Sequence, residues 1–254
     1  MKGKIPRRLA RYLSRVDADI TPTTGVVTFT FDDAYAAACN LGARIIEQAG
    51  GRATYYVCGG LDQSRTGDPK YHSAADLKRL QADGHEIASH GFGHLNYQET
   101  SSAMIQRDLD LNAAYFHDNQ IEQPRNFAYP YGCVSPRVKD LCGRRFRSSR
   151  GVQSALNGRR LDLSLLKSVP LYSTSLDELT VTALIEQARD IRGWLIFFGH
   201  DVTDSPNEFD MTPGLLEFAA SETNRRGLPI MTLDDALDHF DARTNSRRSR
   251  ATIS

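Results

Sequence analysis

Val26-Val27-Thr28-Phe29-Thr30-Phe31-Asp32-Asp33 reads as one β-strand that delivers two carboxylates at its end. Residues 26–31 are apolar, β-branched or aromatic, a composition suited to a buried, pleated surface. Helical spacing follows over 36–48 and stops at Gly50-Gly51. The unit then recurs. Residues 53–58 are a second apolar run, and 73–82 read as a helix with Ser73 as cap and Asp83-Gly84 as stop. Residues 86–89 read as extended, 101–117 as helix and 126–131 as strand. A helix over 177–192 leads into the continuous apolar strand 194–199. A helix over 211–226, with Thr212 as cap and Pro213 in its first turn, precedes a strand at 228–232 and a helix at 233–240. Repeated strand-then-helix units predict an α/β fold with a parallel sheet or barrel in a single domain. Only the topology of residues 144–175 is not legible, apart from a short strand over 146–149.

The 254 residues fit that reading, since a (β/α) barrel takes roughly 250. Lys+Arg and Asp+Glu balance at 31 each, which argues against a nucleic-acid partner. Hydrophobic residues at 40% and charged residues at 24% exclude a globally disordered chain. No apolar run approaches the roughly 20 residues of a membrane span. The start is basic (Lys2, Lys4, Arg7, Arg8, Arg11, Arg15) but has no apolar segment, so it does not read as a secretory leader. It is expected to form a helix over 7–15 that is solvated or rests on an anionic membrane surface. The expectation is a cytoplasmic protein, with contact at the inner membrane face as one option for the basic start; an exported protein whose leader is not in this sequence is the alternative. Residues 1–24 are set apart as a basic lead-in, 25–240 as the domain and 241–254 as a frayed polar tail. Cys39, Cys58, Cys133 and Cys142 are scattered, and free, partly buried thiols are expected.

Functional groups of parallel α/β folds gather at the carboxyl ends of strands. Four strand ends stand out in order: Asp32-Asp33, then His90-Gly91-Phe92-Gly93-His94, then Pro130-Tyr131-Gly132, then Gly199-His200. Each has an ordinary explanation. Asp33 suits a helix N-cap, two histidines four apart are often structural, Pro and Gly mark any turn, and His200 suits a loop cap. Chance does not readily supply all four together. Asp33, His90 and His94 offer one carboxylate and two imidazoles, which leaves a coordination position open, as in catalytic zinc sites. With a divalent ion there, Asp32 is placed to deprotonate water and His200 to protonate a leaving group, a pattern suited to hydrolysis of an amide or ester. The same donor set holds ferrous iron in oxygenases, but those sites generally sit in all-β barrels.

At these residues the chain resembles the polysaccharide deacetylases, the NodB-homology group of carbohydrate esterase family four. Thr30-Phe31-Asp32-Asp33 is similar to the family's first motif, Ser89-His90-Gly91-Phe92-Gly93-His94 to its second, Phe127-Ala128-Tyr129-Pro130-Tyr131-Gly132 to its third and Phe198-Gly199-His200 to its fifth. The resemblance spans about residues 26–237. It implies a distorted (β/α)7 barrel that removes acetyl groups from an acetylated amino-sugar polysaccharide or oligosaccharide, in bacterial surface-polysaccharide synthesis or modification. It implies Asp32 as base, zinc or a similar divalent metal on Asp33, His90 and His94, and His200 as acid. The backbone N–H of Tyr131 would stabilise the oxyanion, and Phe198 would wall the acetyl methyl. Many members carry Arg in the third motif, where it steadies the base. Ala128 occupies that position here, and Arg150 is the expected substitute on the substrate side of the site. The Asp that tunes the acid in many members has no clear match, Asp162 and Asp177 being the two candidates. An amidohydrolase acting on a small cyclic amide and a catalytically silent carbohydrate-binding homologue are the rival readings.

Overall fold

The computed structural model describes residues 10–68, 70–240 and 243–244. Among them, seven parallel strands form one curled sheet in the order β6-β5-β4-β3-β2-β9-β8, a half-barrel. The strands are β2 (Val26–Asp32), β3 (Thr54–Val57), β4 (Glu86–Ser89), β5 (Asn126–Ala128), β6 (Ser148–Arg150), β8 (Val169–Pro170) and β9 (Trp194–Gly199). β1 (Asp17–Asp19) lies between β7 (Arg160–Asp162) and β10 (Arg243–Thr244) in a small antiparallel sheet. β1 and β10 therefore come from the segments that the sequence sets apart as lead-in and tail.

Side-chain alternation along the strands explains both faces of the large sheet. Val27, Phe29 and Phe31 of β2 share a core with Tyr55, Val57, Leu195 and Phe197, and with helix residues such as Ile46, Ile185 and Leu216. Val26 faces the other way, into a second core with Tyr56, Ala88, Ala128, Trp194 and Ile196, closed by Leu233 and Leu237. Asp32, His90 and Phe198 continue this inner face toward the strands' carboxyl ends, because each lies an even number of residues along the chain from a member of that second core, Val26, Ala88 and Ile196 respectively; Arg150 joins them as the register partner of Ala128. One period-2 pattern thus builds the core and aims the polar residues at one place.

The helices start where side chains can bond the first free N–H groups. Ser73 and Asp76 form a capping box on Ala74–Ala82. Ser101 caps Ser102–Asp118, Asp177 caps Glu178–Asp190 and Thr212 caps Pro213–Arg225. Three expectations need correction. Residues 36–48 do not form one regular helix: a π-helical turn, Ala38–Gly42, precedes Ala43–Gln48. Residues 228–232 form no strand. They touch β2 at a single point, where Val27 N–H donates to Pro229 O at 3.1 Å and Met231 N–H to Val27 O at 3.1 Å, because Pro229 has no N–H with which to extend a ladder. Of the expected helix over 7–15, residues 7–9 lie outside the described residues, Ala10 is helical, and the helix does not continue to residue 15, because residues 11–14 form a turn and bend with Ser14 at φ +50. The four cysteines are free as expected, and all are buried. Among the described residues no helix is long and apolar enough to cross a membrane.

A buried ion pair ties the amino-terminal segment to the domain. Lys139 is 1% exposed, and its Nζ donates to Asp162 Oδ2 at 2.7 Å, Ala10 O at 2.7 Å and Leu13 O at 2.9 Å. Removing one partner of such a pair strands the other charge, at a cost of about 3–5 kcal/mol. Lys139→Met is therefore expected to lower the unfolding free energy by about that amount, measured by urea denaturation. A change below about 1 kcal/mol would mean that Arg15, whose Nη1 is 4.0 Å from Asp162 Oδ2, or solvent takes over once Lys139 is gone.

Candidate active site

β2 ends in two adjacent carboxylates that point to different tasks. Asp32 keeps the extended conformation and is 5% exposed. Asp33 takes φ +62 and Ala34 takes φ +49, so the chain turns sharply and Asp33 swings toward the next strand ends. Asp33 caps no helix. Positive φ is costly for residues other than glycine. Four such positions, Asp33, Ala34, His94 and Tyr131, fall in the motif loops that converge here.

His90 follows β4 and is buried. Its Nδ1 bonds Ala128 O at 2.8 Å, and a carbonyl can only accept, so the proton sits on Nδ1 and Nε2 keeps its lone pair. Burial, more than any neighbouring charge, pulls this imidazole down to about 4, so it is neutral across the ordinary pH range. His94 Nε2 stands 3.6 Å from Asp33 Oδ1, and the rings of His90 and His94 have centroids 4.9 Å apart. Ligand atoms of Asp33, His90 and His94 all lie within 4.8 Å of one another. Two ligand atoms each ~2.0–2.1 Å from a tetrahedral zinc stand about 3.3 Å apart; the 3.6 Å between His94 and Asp33 is close to that, and separations up to 4.8 Å would close by about 1.5 Å around a divalent ion.

Asp32 lies beside this cluster and outside it. Arg150 Nη2 donates to both of its oxygens, at 2.6 Å to Oδ2. Arg150 is 1% exposed, its guanidinium 4.9 Å from the Tyr56 and Phe198 ring centres. It supports the base from beneath and offers no surface to a substrate, which corrects its expected place on the substrate side. The position follows from the sheet, because Ala128 and Arg150 are register partners on β5 and β6. The cation has moved one strand over from the motif position. Burial pushes the Asp32 carboxyl up, but the guanidinium of Arg150, with His90 and His200, more than offsets this and holds it below the usual carboxylate range.

His200 ends β9 and is partly exposed. Its Nδ1 donates to Phe209 O at 3.2 Å, which directs Nε2 away from that loop. Neither acid considered for tuning it makes this contact. Asp162 pairs with Lys139, and Asp177 is exposed and accepts from Thr180 N–H at 2.8 Å. The loop that presents the Phe209 carbonyl is folded by Asp210, 4% exposed, which accepts from Asp201 N–H at 3.2 Å and Asn207 N–H at 3.1 Å. Side-chain patterning does not report a backbone acceptor, so this partner escapes a sequence reading. Phe198, 5% exposed, meets Tyr172 edge-on at 5.5 Å, and Tyr172 lies 6.2 Å from the His200 ring. Tyr131 sits in the Pro130–Gly132 turn at φ +57, its 61% exposed ring 4.3 Å from that of His94.

Residues 19–144 match the family model described as polysaccharide deacetylase. Among curated proteins, none matches the chain in sequence. Solved structures share its fold at low identity. A "T48 deacetylase with substrate" is 17% identical with a TM-score of 0.61, the match covering 87% of this chain and 95% of that one. The Xyl-CE4 domain of a multidomain xylanase from the hindgut metagenome of Trinervitermes trinervoides is 14% identical with a TM-score of 0.62, over 89% and 96%. A BA3943 mutant, described as a CE4 family pseudoenzyme with restored enzymatic activity, is 14% identical with a TM-score of 0.60, over 86% and 70%.

Proposed function

We propose that this chain, which belongs to the polysaccharide deacetylase family, is a metal-dependent hydrolase that removes N-acetyl groups from an amino-sugar polysaccharide or oligosaccharide, in bacterial surface-polysaccharide synthesis or modification. One observation carries the reading: a neutral His90, His94 and Asp33 share one small volume, beside a carboxylate held ionised by a buried guanidinium. Zinc is the metal that suits this donor set first, and when bound it supplies a Lewis acid that polarises the acetyl carbonyl and the attacking water.

The chain's own residues do the rest. Asp32 takes a proton from the water, and Arg150 keeps its carboxylate oriented and charged beforehand. Nε2 of His200, protonated, gives its proton to the amine nitrogen as the C–N bond breaks, so acetate leaves with the water's oxygen and the sugar keeps a free amine. The Phe209 carbonyl fixes the His200 ring by its other nitrogen. Tyr131 N–H is assigned to the developing oxyanion. Phe198 and Tyr172 wall the space for the acetyl methyl.

Acetate release by zinc-loaded protein from a panel of N-acetylated oligosaccharides tests the proposal. Release that stops on chelation and returns with zinc is the expected result. Turnover of small cyclic amides alone would favour the amidohydrolase reading. Oligosaccharide binding without release under any divalent metal would favour a silent homologue.

A further inference from the structure

The helix Ser102–Asp118 buries Ile105, Asp108, Leu109, Asn112, Tyr115 and Phe116. Asp108 and Asn112 are out of place on an apolar stripe, and a buried carboxylate is costly unless it is fully bonded. Asp108 is 5% exposed and, among the described residues, has no ion-pair partner. Its bonds all go to one loop. Oδ1 accepts from Gly93 N–H at 2.8 Å, and Oδ2 accepts from Phe92 N–H at 2.9 Å and from the Tyr97 hydroxyl at 2.7 Å. Phe92 and Gly93 lie between His90 and His94. The loop wraps closely around this carboxylate: at Gly91, with φ +78, a Cβ would stand 2.6 Å from Asp108 Oδ2 and 2.7 Å from the Tyr97 hydroxyl.

His90 needs no such help, because β4 and the Ala128 carbonyl fix it. His94 is different. It follows two glycines in three residues and sits at φ +49, a conformation that persists only when its surroundings impose it. The constraint just before His94 in the chain is the pair of N–H groups held by Asp108.

We propose that Asp108 is the positioning residue for His94: by holding the loop on a buried carboxylate, it makes the third metal ligand available in place. This rests on the metal-site reading above. Partners that orient ligands typically affect metal affinity by about 10–100-fold. In Asp108→Asn, one of the two backbone N–H groups faces an amide NH2 in place of an acceptor, so the loop loses its hold while the helix keeps its shape.

The test is zinc affinity by chelator competition on wild type, Asp108→Asn, His94→Ala and Asp162→Asn, with thermal unfolding of each apo protein. Asp162→Asn removes a buried carboxylate from the small sheet and controls for general destabilisation. The d–d spectrum of the cobalt-loaded protein reports ligand geometry without turnover. The expected result is an affinity about 10–100-fold weaker in Asp108→Asn, a cobalt spectrum shifted toward that of His94→Ala, and no affinity change in Asp162→Asn. Affinity within threefold of wild type, or an equal fall in the control, overturns the proposal and leaves the metal reading standing. Wild type that binds no tighter than His94→Ala overturns both. If Asp108→Asn does not fold, Tyr97→Phe removes one bond to the same carboxylate. A threefold or greater loss of affinity then supports the proposal, and no loss overturns it.

Discussion

His94→Ala and His90→Ala are each expected to leave a folded protein that no longer retains a stoichiometric metal ion, with acetate release down on the order of 10^3-fold or more. A Lewis acid contributes several kcal/mol at the reacting carbonyl, and each 1.36 kcal/mol is a factor of ten. The histidines do not act equally. His90 is buried with its Nδ1 proton committed to Ala128 O, so its removal also leaves that carbonyl and a cavity behind. His94 is the cleaner test. Metal analysis after dialysis, set against acetate release, checks the expectation. One ion per chain retained by His94→Ala would show that His94 is no ligand.

The same histidine sets an acid dependence. His90 titrates at about 4 when folded, against ~6.5 in an unfolded chain. Between those values the unfolded state binds a proton that the folded state refuses, so stability falls as pH drops below ~6.5 and levels off near 4. His90→Gln should flatten that limb in urea titrations of the apo protein.

Much of this was legible because one rule served two purposes. Alternation in β2, β4 and β9 placed core and site residues on the inner face, and two of those three strands match the expected ranges to the residue, β2 running one further to Asp32. Where strands are short the rule has nothing to work on. β7 and β8 have three and two residues, and β6 reads Ser-Ser-Arg, polar because its inner face meets Asn126 and Asp32 rather than apolar core. Arg150 could be suspected only from what Ala128 lacks. Its burial against Tyr56, Phe198 and Asp32 depends on a register that no local pattern encodes. The π-turn at Ala38–Gly42 is likewise a tertiary outcome. Asp108 did carry a signal, as an acid inside an apolar helical stripe.

The Asp32–Arg150 pair allows chemistry and support to be separated. Asp32→Asn keeps the shape and the hydrogen-bond acceptor but cannot take a proton, so kcat/KM is expected to fall by about 10^2–10^4-fold with metal retained, because Asp33, His90 and His94 are untouched. Undiminished turnover would remove Asp32 from the role of base. Arg150→Ala acts differently. It strands a carboxylate that burial already pushes up, so stability at neutral pH should drop by about 3–5 kcal/mol. In wild type the folded Asp32 titrates below its unfolded value of ~3.9, so the pair's stabilisation is fully present above that pH and is lost as pH falls through the lower folded value. Without the guanidinium the shift reverses, and the acid limb of kcat/KM should move to higher pH as the base becomes harder to ionise. A merely structural Arg150 would lower stability without moving that limb. If Arg150→Ala keeps the wild-type limb and a rate within threefold, the buried cation is scaffold alone, and the charge on Asp32 does not depend on it.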